Sequence, residues 1–311
     1  MAVPGAARDA LTIAGRSTDT VLAVLFGALA GATFGLLLVS VRFGLTRGVD
    51  QYAGAVAMLT IAFVLSTVVA IPSMVGSDVH AADLWKFVLA GLVAPGAAQI
   101  ILIVAIRDAG PSRAAILIGT APLLSVAIAL TILNEPFSVW LLLGTVLVVA
   151  GGALLALERS RPEHFKALGA VLALLCALLF AIRDNVARWA AREPHPPPAL
   201  VGAAVALAAA FAFVAAYVLA TRPRSLQGRM GPALIAYAPA GIALGLGYIF
   251  LLAAFDHGRV SIVAPLNATQ SLWAVVFAAV LIGRHHEGIG RRLVVAGALV
   301  VAGSAVIGIV R

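Results

Sequence analysis

Unbroken apolar stretches of about 20 residues recur along nearly the whole chain, and this pattern leaves it few ways to fold. As an α-helix, such a stretch covers the roughly 30 Å hydrocarbon core of a bilayer at 1.5 Å per residue, with every backbone polar group bonded internally. Only 11% of the residues are charged and 62% are hydrophobic, whereas a soluble domain carries about 25% charged residues. Too few charges remain to make a water-facing surface. The apolar runs predict spans at 20–43, 52–72, 84–106, 112–133, 138–157, 167–190, 199–220, 232–255, 260–282 and 291–310. The expected fold is an all-α membrane protein of ten transmembrane helices. Pro194, Pro196, Pro197 and Pro198 remove helix donors almost in succession, which fixes the break before the seventh span. Residues 1–19 are expected to be a tail ahead of a retained first helix, because no brief apolar core with a small-residue exit precedes that helix.

The net charge of +8 raises the question of nucleic acid, but no block of Lys and Arg interleaved with aromatics exists to follow a phosphate backbone. The basic residues stand between the apolar stretches, as they do in membrane proteins. Cys176 is the single cysteine, so disulfides and CxxC metal sites are excluded by counting. In His285-His286-Glu287 the histidines are adjacent, whereas a zinc-binding HEXXH helix sets them one turn apart. No cofactor and no metal are expected. The expected partners are the lipid bilayer and a small-molecule solute.

The chain is duplicated. Leu147-Val148-Val149-Ala150-Gly151 near the end of the fifth span recurs letter for letter as Leu299-Val300-Val301-Ala302-Gly303 near the end of the tenth. At the same offset Glu135 corresponds to Glu287, and acids in register are improbable by chance in a chain so poor in acids. Phe34 and Arg42 match Phe180 and Arg188 at one common offset, and Gly110 matches Gly258. The expected units are 20–157 and 167–311, joined by a charged linker at 158–166. Five spans is an odd number, so the second unit enters the membrane from the opposite side. Such inverted repeats place a binding site near the bilayer midplane and support alternating access.

Charges inside a span cost about 2.5–3.5 kcal/mol each on the insertion scale, which makes intramembrane ionisable groups functional candidates. The sixth span carries Arg183, Asp184 and Asn185, with Arg188 four residues beyond Asp184. The i, i+4 spacing predicts an Asp184–Arg188 pair, which leaves Arg183 on another face for a carboxylate of solute or protein. In the ninth span Asn267, Gln270 and Ser271 fall on one helical face with Trp273 close by, a set of donors, acceptors and an apolar wall suited to an amino acid. Hydrogen bonding between helices is the competing reading for each amide. Gln99 in the third span and Tyr248 in the eighth are further cavity candidates. Glu135 and Glu287 sit at turns and are expected to cap the helix that follows each. The stripes Gly27/Gly31/Gly35, Gly241/Gly245 and Ser304/Gly308 predict close helix packing.

Two halves of this design, each with an acid at a short turn before a final LVVAG-bearing helix, resemble the EamA-type members of the drug/metabolite transporter superfamily. Ala121-Pro122-Leu123 ahead of Asn134-Glu135-Pro136 is similar to the family's first half, and Phe180-Ala181 with Arg188 to the start of its second. One departure is Gln270-Ser271-Leu272, where a proline equivalent to Pro122 is expected, with Pro265 earlier. The resemblance implies export of amino acids or other metabolites, with an amino-acid exporter of the YddG kind as the nearest analogy. It also implies cytoplasmic termini in a bacterial inner membrane. The arginine distribution, read by the positive-inside rule, favours the opposite orientation. Between Asp19 and Asp50 the first span has no acid, so it lacks the buried glutamate of small multidrug proton antiporters of that superfamily. Asp184 is then the candidate for any proton coupling.

A membrane-embedded enzyme acting on a lipid-linked substrate is the alternative function. It requires a clustered nucleophile and base, and the isolated His80, His164, His195 and His257 offer none. A non-transporting scaffold has no use for the duplication.

Overall fold

The computed structural model describes residues 4–75, 79–109, 114, 117–156, 167–281 and 291–309, and these are helical apart from short connections. In chain order the helices are α1 (Pro4–Thr46), α2 (Gln51–Val75), α3 (Trp85–Gly91), α4 (Ala98–Ala109), α5 (Ala121–Thr131) and α6 (Val139–Ala156). They continue with α7 (Ala167–Ala191), α8 (Ala199–Thr221), α9 (Met230–His257), α10 (Val260–Asn267), α11 (Gln270–Leu281) and α12 (Arg291–Ile309). Among the described residues, seven segments are long and apolar enough to cross a membrane, α3 with α4 and α10 with α11 each counting as one. Ala121–Thr131, Val139–Leu154 and Val295–Ile307 are apolar but shorter. Large aliphatic side chains point outward on the long helices, among them Val21, Leu25, Val64, Val68, Leu168 and Ile235. A soluble protein hides such a surface, which suits lipid rather than water.

The local chemistry explains the helix ends. The Asp50 carboxylate accepts from the backbone N–H groups of Tyr52 and Ala53, at 2.9 and 3.0 Å, and so caps α2. Pro198 precedes α8 with an extended ψ of 139°. At the other end of the chain, α1 starts at Pro4 rather than near residue 20, so the segment expected as a tail continues the first helix. Its alanines favour a helix, and no proline interrupts it after Pro4.

Two spans are broken. Between α3 and α4 the chain passes through a wide turn, Leu92–Ala97, in which Ala94 leaves helical geometry at φ −152° and ψ 128° before Pro95. Between α10 and α11 the helix is interrupted at Ala268 and Thr269. The corresponding place in the first half, Gly119 and Thr120, is a turn as well. Thr120 Oγ1 donates to the Leu117 carbonyl at 2.6 Å, and Thr269 Oγ1 to the Leu266 carbonyl at 2.7 Å, so the two turns share one internal bond at one offset. The turn at Ala268 and Thr269 is therefore kept although Ser271 stands where the first half has a proline.

Packing between the halves is reciprocal. Helix α1 lies on α9, and its counterpart α7 lies on α3 and α4; α1 also lies on α10 and α11, as α7 does on α5. Helices α6 and α12, which hold the repeated pentapeptides, pack on each other. A Cβ at Gly144 would stand 2.8 Å from the Gly303 carbonyl, and one at Gly151 would stand 2.8 Å from the Ala296 carbonyl. As the position rises along α6 it falls along α12, so the pair is antiparallel. The α1 stripe faces α10 and α11: a Cβ at Gly31 would stand 2.9 Å from the Leu266 carbonyl, and one at Gly35 would stand 2.9 Å from that of Gln270. The stripe on α9 faces Ile61 and Leu65 of α2.

Glu135 caps a helix, but not the one that follows it. Asn134 adopts a positive φ of 50° and reverses the chain after α5. The Glu135 carboxylate, 7% exposed, then accepts from the N–H groups of Val260 and Ser261 at 2.9 and 3.1 Å and from Ser261 Oγ at 2.8 Å. The first half thereby caps α10 of the second. Glu287, His285, His286, Gly110 and the linker at 158–166 lie outside the described residues.

Candidate solute-binding site

Helix α7 brings three polar residues into the interior. Arg183 and Asp184 are each 4% exposed and Asn185 is 6% exposed, with Arg183 eight residues before the end of α7, a depth of about 12 Å. A lone buried charge would cost several kcal/mol, so such groups must find partners. Arg183 finds its partner next door: Nε donates to Asp184 Oδ1 at 2.8 Å, and Nη2 lies 2.8 Å from the same oxygen. Its Nη1 donates to Tyr248 Oη on α9 at 3.0 Å. Tyr248 Oη in turn donates to the Ala94 carbonyl at 2.7 Å, an acceptor set free by the break between α3 and α4. The guanidinium also lies 5.3 Å from the Phe180 ring centre and 5.5 Å from that of Tyr248, both within cation–π reach. Phe34 of α1 meets Tyr248 edge-on at 5.9 Å.

The second oxygen of Asp184 is held from α5, where Ser125 Oγ donates to Oδ2 at 3.0 Å. Asn185 Nδ2 donates to the Ser125 and Ala181 carbonyls at 3.0 and 2.9 Å, and its Oδ1 is buried with no partner among the described residues. One network thus joins the break before α4, α5, α7 and α9, two elements from each half. It holds an ion pair, a phenol and an amide acceptor without a donor.

The expected Asp184–Arg188 pair is corrected. Arg188 Nη1 donates instead to the carbonyls of Phe255 and Asp256, at 2.5 and 3.3 Å. Carbonyls in the last turn of α9 lack intrahelical donors, so a guanidinium at that level finds them first. Arg183, expected to face away from Asp184, holds it.

The remaining sequence candidates are less tightly grouped. Gln99 is half-buried on α4, and the hydrogen bonds of the network do not include it. Asn267 is 9% exposed at the end of α10, and its Oδ1 is buried without a partner. The interruption at Ala268 and Thr269 splits the helical face expected to join it to Gln270 and Ser271. Gln270 is half-buried. Ser271 faces Gly152 of α6 and donates to the Ala268 carbonyl at 3.3 Å, whereas the Cβ of Trp273 faces Gly35 of α1. Trp273 is 36% exposed and stacks on Phe277, with ring centres 5.9 Å apart.

Sequence reasoning missed Ser125 and the Ala94 carbonyl. Pro95-Gly96 inside an apolar run was the available signal for the second; nothing marks Ser125 apart from its being polar. It also missed a clasp at the helix ends, where Lys86 of α3 pairs with Glu193 beyond α7 and its Nζ lies 4.2 Å from the Trp189 ring centre. Trp85 meets Trp189 edge-on at 5.3 Å. Nearby, Arg192 Nη1 donates to the Leu133 carbonyl at 2.7 Å.

Comparison with known proteins agrees with this architecture. A solved crystal structure superposes with a TM-score of 0.75 at 20% identity, covering 92% of this chain and 96% of the other. At that identity the likeness is one of fold. No curated protein matches the chain. The profile of the EamA-like transporter family matches residues 21–157 and again 167–309, one copy per half. With both halves matched, the chain is a membrane protein that belongs to the EamA-like transporter family.

Proposed function

We propose that the protein exports a small metabolite, amino acids foremost, across a bacterial inner membrane by alternating access around the Arg183–Asp184–Tyr248 network. The observation that carries this reading is the network's position: an ion pair deep in α7, reached by a phenol from α9 and opened to backbone at the break after α3. Discontinuous helices that offer free carbonyls beside paired charges are how transporters hold polar solutes within a membrane. The antiparallel α6–α12 pair and the matched turns at Thr120 and Thr269 support an inverted arrangement of two five-span units, ten spans in all. Gln99, Asn267, Gln270, Ser271 and Trp273 complete the proposed solute path.

The test is flux through the purified protein in liposomes, scored over a broad panel of metabolites. Saturable efflux is expected for amino acids, reduced severalfold in Asn267→Ala or Gln270→Ala protein that remains monodisperse. Absence of saturable flux for every solute in the panel would end the transporter reading.

A further inference from the structure

The bond pattern at Arg183 bears on the solute's charge. A guanidinium edge presents two parallel N–H groups that match the two oxygens of a carboxylate. At Arg183 that edge, Nε and Nη2, converges on a single oxygen, Asp184 Oδ1, while Oδ2 is turned away to Ser125. The pair on α7 does not form the fork-to-fork geometry that a free carboxylate can. The internal pair therefore leaves an improvement available to a ligand.

Displacing Asp184 by a simple anion would strand a buried carboxylate, at a cost of several kcal/mol. A ligand that brings its own cation avoids that cost. The same turn of α7 also holds Asn185 Oδ1, a buried acceptor with no donor among the described residues. An ammonium group has three donors to offer such an oxygen.

We propose that the Arg183–Asp184 pair opens to take a zwitterion, the solute's carboxylate accepting from both Nε and Nη2 of Arg183 and its ammonium donating to Asp184. Charge is conserved in the exchange, and Asp184 acts in the empty state as a stand-in for the solute. This rests on the transporter reading and adds a requirement that both solute charges be present.

The experiment is competition for efflux from liposomes containing the full-length protein. Labelled alanine, leucine and phenylalanine are each challenged with the parent, its amide, which lacks the carboxylate, and its deaminated acid, which lacks the ammonium. The parent is expected to compete at least tenfold better than either analogue. The neutral double variant Arg183→Gln/Asp184→Asn strands no charge; in a form that elutes as wild type it should lose at least tenfold of the flux and with it the discrimination. Equal competition by amide or acid overturns the proposal, as does discrimination that survives in the double variant. If other metabolites pass but none of the three amino acids does, the zwitterion requirement falls and the transporter reading stands. If no solute shows saturable flux, both fall.

Discussion

At the scale of single residues, the cost of burying charge decides what can be read in advance. Arg183 and Asp184 stood out in the sequence because ionisable groups are expensive inside a span. Their pairing did not, because helical spacing ranks Arg188 as the natural partner, whereas in the folded protein the end of α9 supplies Arg188 with carbonyls. Glu135 was readable as a cap, but its target was not, since the reversal at Asn134 sends the carboxylate across the molecule. Glu135→Gln replaces a charged acceptor with a neutral amide and is expected to cost about 1–3 kcal/mol. Cys176, the single cysteine, is fully buried, so a thiol-reactive fluorophore in a thermal ramp reports unfolding directly. An unchanged midpoint would mean that the cap contributes nothing. Ser125→Ala removes the donor to Asp184 Oδ2 and leaves that oxygen buried and unsatisfied. The same ramp should show a loss of about 1–3 kcal/mol, with a larger fractional effect on flux than on stability if the hydroxyl positions Asp184.

At the scale of elements, apolar periodicity gave the runs but not their interruptions. The break after α3 had a marker in Pro95-Gly96 that a hydropathy reading passes over, and the one before α11 has no proline at the equivalent of Pro122. The turn forms without that ring, and Thr269 donates to the Leu266 carbonyl as Thr120 does to that of Leu117. Small-residue stripes were more dependable, because close backbone approach admits nothing larger. Gly144→Ala should push α6 and α12 apart and lower thermal stability by about 1–3 kcal/mol, in line with overpacking elsewhere. Gly231 in the first turn of α9 has open space where a Cβ would sit, so Gly231→Ala should be neutral or slightly stabilising in the same ramp. Equal effects from the two would show that the approach of α6 to α12 is not tight.

At the scale of the whole molecule, the polar ties gather at one end. Lys86 with Glu193, Arg192 with the Leu133 carbonyl and Glu135 with the start of α10 tie one half to the other, and Arg188 ties α7 to the end of α9 within the second half. In the alternating-access cycle proposed above, these are the contacts that must yield before that end can open. Glu193→Gln should raise hydrogen–deuterium exchange at the start of α3 and the end of α7 severalfold, with α6 and α12 unchanged. A uniform rise would mean general loosening rather than a local latch, and no rise would remove the clasp from any role in opening.

Glu135 lies in one half and caps a helix of the other, so neither half is self-sufficient. A chain ending at residue 157 would expose a carboxylate with nothing to cap, and one starting at 167 would lack its acceptor. Because both matched repeats lie on one chain, the carboxylate and the helix end it holds are always made in equal number.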